Sequence, residues 1–276
     1  MNIGTDLFIA TENRSVPISL AELCIVAASE AWRGDGEVLA SGIGIVPRLA
    51  VGLAKLTYAP ELMMTDSEAY LVEEPIPLGP RGDYKPKFAG WMPFSRVFDV
   101  VWNGRRHAMV TPSQIDRWVQ GNISCIGDFR KPKAQMLGVR GFPGNSINHA
   151  NSMFVPMHST RALTEKEVDV VGSVGYNPQR WPEGVNRDFV DLRLIVTDLC
   201  VMDFGGPDHQ VRVRSLHPGV TFEQVQAATG FPLAQMAALP VTPAPTAEQL
   251  AIIQRLDPHN LRASVIKNNP PMARAA

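Results

Sequence analysis

The stretch "EVLASGIGIVPRLAVGLAKLTYAPELMMTD", residues 37–66, limits the fold more than any other part of the chain. "EVLAS" (37–41) is a short apolar run, and Gly42 and Gly44 follow it in "GIGIVP". "RLAVGLAKL" then places its apolar residues at helical spacing, and "PELMMTD" is a second apolar run. Strand, glycine turn, helix and strand in that order make a βαβ unit. Strands joined by a helical crossover are parallel, because antiparallel neighbours need only a hairpin. The expected fold class is therefore α/β, built on an open, mostly parallel sheet with helices.

Other segments extend this plan. Ser19 and Glu22 form a capping box opening "LAELCIVAASEAWR", where Leu20, Leu23, Ala27 and Ala31 recur at helical spacing until Gly34 and Gly36. "FSRVFDVVWNG" reads as a helix and "RRHAMVTPSQ" as a strand, with a loop rich in Pro and Gly over 69–93 before them. Residues 117–160 carry so much Gly, Asn, Pro and Ser that a set of turns is expected there. Strands are expected at "VDVVGSVGY", "DLRLIVTDLCVMDF" and "QVRVRSL". Helices capped by Thr221 with Gln224, and by Thr246, come after them. No repeat or linker divides the chain, so residues 1–265 are expected to form one domain and 266–276 a flexible C-terminal tail.

Composition sets the function classes aside or keeps them. With 276 residues, 45% of them hydrophobic, the chain can bury a sizeable core. A net charge of −1 without blocks of like charge argues against nucleic acid or an anionic membrane as partner. The N-terminus lacks a basic start and a long apolar stretch, and no run approaches membrane-spanning length, so a cytoplasmic protein is expected. Cys24, Cys125 and Cys200 lie far apart among apolar or small residues and read as reduced, buried thiols. The histidines show no ligand spacing, so no metal is expected, and no G-x-S-x-G elbow is present.

Three stretches can carry chemistry. Glu68 falls just past its predicted strand, where parallel sheets present their ligand crevice, between the small residues Ser67 and Ala69. A solvated loop glutamate beside Glu73 and Glu74 is the competing reading. Gly42 and Gly44 allow close backbone approach at a helix N-terminus that favours an anion; a tight turn without ligand explains them equally well. In "GVRGFPGN", Gly138, Gly141 and Gly144 can expose backbone N–H groups, with Arg140 and Asn145 as further donors, or form a plain irregular loop.

In this order the motifs resemble the β subunits of class I coenzyme A transferases, over residues 19–264. Gly42-Ile43-Gly44 with Pro47 is similar to the family's G-I-G-P turn, and Ser67-Glu68 to the start of its S-E-N-G motif. Gln114, Asp116, Gly121 and Asn122 match a Q-x-D…G-N segment. Gly138-Val139-Arg140-Gly141 matches the glycine-rich turn, and Pro218 to Thr221 with Thr229-Gly230 matches the closing signature. Two departures stand out: Ala69-Tyr70 replaces Asn-Gly after the glutamate, and Arg140 with Phe142-Pro143 enters the glycine-rich turn. Together with "GWMPF" (90–94), "GRRH" (104–107), "NHA" (148–150) and "FGGPDH" (204–209), these departures resemble a narrower branch. That branch holds the β subunits of the hydrolase that opens the last steroid rings as a CoA thioester.

The resemblance implies a CoA-transferase (sugar-phosphate-isomerase-like) fold and a heteromer with a separate α subunit, α2β2 or similar. It implies hydrolysis of a carbon–carbon bond in a ring-opened, steroid-derived acyl-CoA, with no cofactor beyond the CoA of the substrate. An acyl-CoA transferase for a short dicarboxylic or 3-oxo acid and a non-catalytic scaffold are the alternatives. Glu68 is the implied catalytic or substrate-positioning carboxylate, with the α subunit able to supply the base instead. Arg140, Gly141, Gly144 and Asn145 are expected at the substrate's oxyanion, and Gly42, Gly44, Gln114, Asn122 and Gly138 near CoA. Tyr70, Trp91 and Phe94 are expected to wall an apolar pocket, although Trp91 and Phe94 can equally be core anchors.

Overall fold

A computed structural model of the chain describes residues 17–66, 70–136, 138, 141–267, 269 and 271–272. Its centre is a seven-stranded sheet whose spatial order follows the sequence. The strands are β1 (Leu39–Gly42), β2 (Arg106–Val110), β3 (Ala150–Val155), β4 (Asp191–Thr197), β5 (Cys200–Asp203), β6 (Arg212–Leu216) and β7 (Ala234–Gln235). Neighbours from β1 to β4 are parallel, β5 is antiparallel to β4 and β6, and β7 is parallel to β6. The sheet is thus mostly parallel, and the expected fold class holds.

Alternation along the strands splits the core into two layers. Met109, Phe154, Leu194 and Val196 face the layer made by α1 (Leu20–Ser29) and α2 (Ile45–Leu56). Val110, Met153, Val155 and Ile195 face the other layer, with Ile115, Phe142 and Leu163. The expected box at Ser19 and Glu22 is present: Ser19 Oγ accepts from Glu22 N–H, and Glu22 Oε2 accepts from Ser19 N–H. Capping boxes also open α5 (Phe222–Ala227) and α6 (Ala247–Leu256). Such caps satisfy first-turn donors locally, which makes them legible in sequence.

Several expectations need correction. "PELMMTD" meets β1 through a single parallel bridge, Met63 to Leu39. Its continuation, Met64–Thr65, turns away into a separate antiparallel sheet with Tyr70–Val72 and Phe88–Trp91. Part of the expected 69–93 loop is therefore strand. "VDVVGSVGY" makes no regular strand: its β-pairing among the described residues is the isolated bridge of Ser173 with Gly121, and the rest of the segment is held by loop hydrogen bonds. Within the expected turns, Phe142–Asn148 forms a short helix, α4, which packs against α3 (Phe94–Asn103). At the C-terminal end, expected to be loose, Pro271–Met272 pairs antiparallel with Ile18–Ser19, and Asn269 Oδ1 accepts from Ala21 N–H.

Cys24, Cys125 and Cys200 are buried and unpaired, as expected. Burial pushes the Cys200 thiol up to about 12, which removes thiolate chemistry at neutral pH. Among the described residues no helix is long and apolar enough to cross a membrane.

Candidate active site

The carboxyl end of β1 opens onto a cavity of about 480 Å³. Its walls include Ser41, Gly42, Gly44, Arg48, Thr65 and Arg106. The two glycines serve different ends. A Cβ on Gly42 would lie 2.3 Å from the Pro47 carbonyl carbon and oxygen, so the strand end meets the first turn of α2 without room for a side chain. Gly44 is the residue before α2 and has φ of +112°, a left-handed conformation that glycine adopts without strain. No side chain caps that helix end.

Beside the cavity the chain reaches the expected catalytic stretch. Asp66 N–H donates to Tyr70 O at 2.9 Å, and Tyr70 N–H donates to Asp66 Oδ1 at 3.2 Å. Asp66 and Tyr70 are therefore tied to each other, directly after Thr65 in the cavity wall. Glu68 itself, with Ser67 and Ala69, lies outside the described residues, and so do Val139 and Arg140.

Arg106, at the start of β2, was not singled out in the sequence as a site residue. Its Nε donates to Ser41 Oγ at 3.0 Å and its Nη1 to Asn145 Oδ1 at 2.9 Å. Burial lowers its pKa from the ordinary arginine value. Asn145 is buried in α4, and its backbone carbonyl accepts from Asn151 Nδ2 at 2.6 Å. The expected donor Asn145 thus presents its amide oxygen to Arg106. Gly144 has no room for a side chain, because a Cβ would lie 2.6 Å from Val101 Cγ1 of α3. Gly138, with φ of +92°, and Gly141 have open space around their Cα atoms. The only sequence signal for Arg106 was the "GRRH" segment, which placed two arginines at a strand start without showing which one turns inward.

Gln114 and Asn122 do not line this cavity. Asn122 Nδ2 donates to Gln114 Oε1 at 2.6 Å, and Gln114 Nε2 donates to Asp169 Oδ2 at 3.0 Å. Asp116, whose pKa burial pushes up, accepts from the backbone N–H groups of Trp118 and Gln120. The Q-x-D…G-N segment knots the loops of the second core layer. Of the aromatic residues expected to wall a pocket, Tyr70 is exposed by 39%, Trp91 by 69% and Phe94 by 64%, so Trp91 and Phe94 are not core anchors. Tyr70 and Trp91 pair across neighbouring strands, and the Tyr70 ring packs tilted against Phe88 with centroids 4.4 Å apart. Within this chain they form an open apolar face.

A second polar cluster has the geometry of a relay without its chemistry. His107 Nδ1 lies 2.6 Å from Asp35 Oδ2, and its Nε2 lies 2.9 Å from Ser152 Oγ. Burial lowers the His107 pKa, so a neutral imidazole donates to the carboxylate and accepts from the serine. Burial pushes the Asp35 carboxyl up, but His107 and Arg193 outweigh it and hold the pKa below the ordinary value. Ser152 is 1% exposed inside a central strand, so no acyl group reaches its hydroxyl. The cluster is structural. Among the described residues no group of three or more His, Cys, Asp or Glu side chains is arranged to hold a metal.

No protein-family model matches the chain. It is 44% identical, over 246 residues, to the cholesterol ring-cleaving hydrolase IpdB subunit of Rhodococcus jostii (strain RHA1), covering 89% of this chain and 95% of that one. The chain belongs to the IpdB family. The crystal structure of Rhodococcus jostii RHA1 IpdAB aligns with this IpdB-family chain at a TM-score of 0.83 and 42% identity, over 91% of this chain and 100% of that one. Glutaconate coenzyme A-transferase from Acidaminococcus fermentans aligns at a TM-score of 0.76 and 23% identity, over 92% and 99%, and shows the same fold. The CoA-transferase fold expected from the motifs is therefore that of this IpdB-family chain.

Proposed function

We propose that this chain is the β-type subunit of a heteromeric hydrolase that cleaves a carbon–carbon bond in a ring-opened, steroid-derived acyl-CoA. The observation that carries this reading is the 44% identity with a cholesterol ring-cleaving hydrolase subunit over nearly the whole of both chains. The related structure is of IpdAB, which supports assembly with an α-type partner.

In the proposed reaction a carboxylate activates water for addition to a ring ketone. The adjacent carbon–carbon bond then breaks in retro-Claisen fashion. The electron pair departs into a neighbouring carbonyl and is protonated at carbon, so one water is consumed and one carboxylate appears. Glu68 is the proposed carboxylate on this chain, as base or as substrate-positioning group beside a base from the partner. General-base assistance of this kind contributes about 10²–10⁴-fold. Arg140, Asn145 and the 138–144 backbone are the proposed donors to the developing oxyanion, a role that commonly adds a comparable factor.

The test uses the chain assembled with its α-type partner and a ring-opened steroid-derived acyl-CoA in H₂¹⁸O. The expected product is an acid carrying one ¹⁸O in its new carboxylate, with the CoA thioester retained. Glu68→Gln should lower kcat by about 10²-fold or more. CoA exchange between acids, with a Glu68-linked thioester trapped by hydroxylamine and no carbon–carbon cleavage, would replace this reading with a transferase.

A further inference from the structure

We infer that Arg106 forms an anion-binding subsite with the uncapped N-terminus of α2. Its ligand is a charged oxygen group on the thioester substrate: a carboxylate of the acyl part or a phosphate of CoA. This rests on the acyl-CoA reading above and adds to it a recognition residue and a ligand chemistry.

Charge balance is the first argument. Every hydrogen-bond partner of Arg106 among the described residues is neutral, namely Ser41 and Asn145, and no carboxylate there forms an ion pair with it. The buried Arg262, by contrast, has Glu22 and Asp257 as acidic partners, and even the 37% exposed Arg193 has Asp35 and Asp191. A partly desolvated guanidinium without a counter-charge is unfavourable, and burial indeed lowers its pKa. Ser41 and Asn145 orient the group while leaving its charge unmatched. A guanidinium has five N–H donors in a fixed plane. Two of them are engaged by the hydrogen bonds to Ser41 and Asn145.

The cavity supplies the second argument. Gly44 turns the chain into α2 with no side-chain cap, so the positive end of a helix twelve residues long borders the same space as Arg106. Arg48, from the next turn of α2, adds a second guanidinium to the walls, with Asp66 acting on it. Two guanidiniums and a helix N-terminus on one cavity would hold an anionic group of the substrate there. An arginine whose orientation is already fixed loses little entropy on gripping a planar carboxylate or phosphate.

The experiment measures binding without turnover, by calorimetry on the assembled heteromer. The probes are glutaryl-CoA, which carries a free carboxylate, its neutral counterpart hexanoyl-CoA, CoA and 3′-dephospho-CoA. If Arg106 grips the acyl carboxylate, wild type prefers glutaryl-CoA to hexanoyl-CoA, and Arg106→Gln abolishes that preference with about a 10–100-fold loss for glutaryl-CoA. If it grips the 3′-phosphate, Arg106→Gln weakens all three 3′-phosphorylated probes alike and removes the difference between CoA and 3′-dephospho-CoA. Arg106→Lys, which keeps the charge but not the fork, should preserve the order of preference at reduced affinity. Affinities for all probes within twofold of wild type in both variants would overturn the subsite. So would an Arg106→Gln chain that melts normally but no longer assembles, because Arg106 would then be pairing with the partner. A heteromer that shows the Arg106-dependent preference yet cleaves no carbon–carbon bond would overturn the proposed reaction and leave the subsite standing.

Discussion

Lowering the pH from 7.5 to 5.0 should destabilise this chain through two buried histidines. His158 and His217 sit back to back around Thr197. His217 Nε2 donates to Thr197 O at 2.8 Å, so its Nδ1 accepts from the Thr242 hydroxyl at 2.9 Å. His158 Nε2 lies 2.8 Å from Thr229 Oγ1, whose proton already goes to Val225 O, so the imidazole donates there. Its Nδ1 faces Thr197 Oγ1 at 3.0 Å. Both rings are neutral in this arrangement. Burial lowers each pKa from 6.5 to about 4, and His217 adds repulsion against a charged His158. Between these values the unfolded chain binds protons that the folded chain refuses, so stability falls as pH drops from about 6.5 towards 4. At pH 5 the linkage amounts to about 2 kcal/mol per histidine, or about 4 kcal/mol for the pair. Urea unfolding of wild type, His158→Gln and His217→Gln at the two pH values tests this. Each variant should lose about 2 kcal/mol of the pH-dependent difference, whatever its offset at pH 7.5. A wild-type difference that both variants retain in full would refute the reasoning.

Other sites give sharp outcomes too. Gly42→Ala forces a methyl into the Pro47 backbone and should cost about 1–3 kcal/mol, read as a lower melting temperature. Asp35→Asn weakens the buried acceptor of His107 and removes one of the two carboxylates paired with Arg193, and should destabilise by about 1–3 kcal/mol in chemical unfolding. Trp91→Ser and Phe94→Ser remove exposed rings and should change the isolated chain's stability by no more than about 0.5 kcal/mol. If the open apolar face meets the partner or substrate, the same two changes weaken assembly or raise KM, measured by sedimentation and steady-state kinetics.

Much of the fold was readable because its signals are local. Capping boxes at Ser19, Thr221 and Thr246 each need only residues within one turn, and all three open the helices expected of them. Gly42, Gly44 and Pro47 marked the strand-to-helix turn for the same reason. "VDVVGSVGY" misled because alternation and β-branching describe a strand's side chains but not whether a neighbour's backbone is free to pair. "GFPGNSIN" misled in the other direction, since its glycines and proline suggested turns where Gly144 lets α4 close onto Val101.

The sequence alone determined the order of elements, the glycine turn at the end of β1 and membership of a CoA-transferase-like family, because those depend on neighbours along the chain. Tertiary structure decided which polar residues meet. Arg106 and Asn145 are 39 positions apart, yet the pairing of β1 with β2 and the packing of α4 bring Ser41 and Asn145 onto one guanidinium. It also decided that Gln114 and Asn122 bind each other and that Trp91 and Phe94 stay exposed. Hydrogen bonding and burial are settled by distances between segments remote in sequence, and no local spacing encodes those distances.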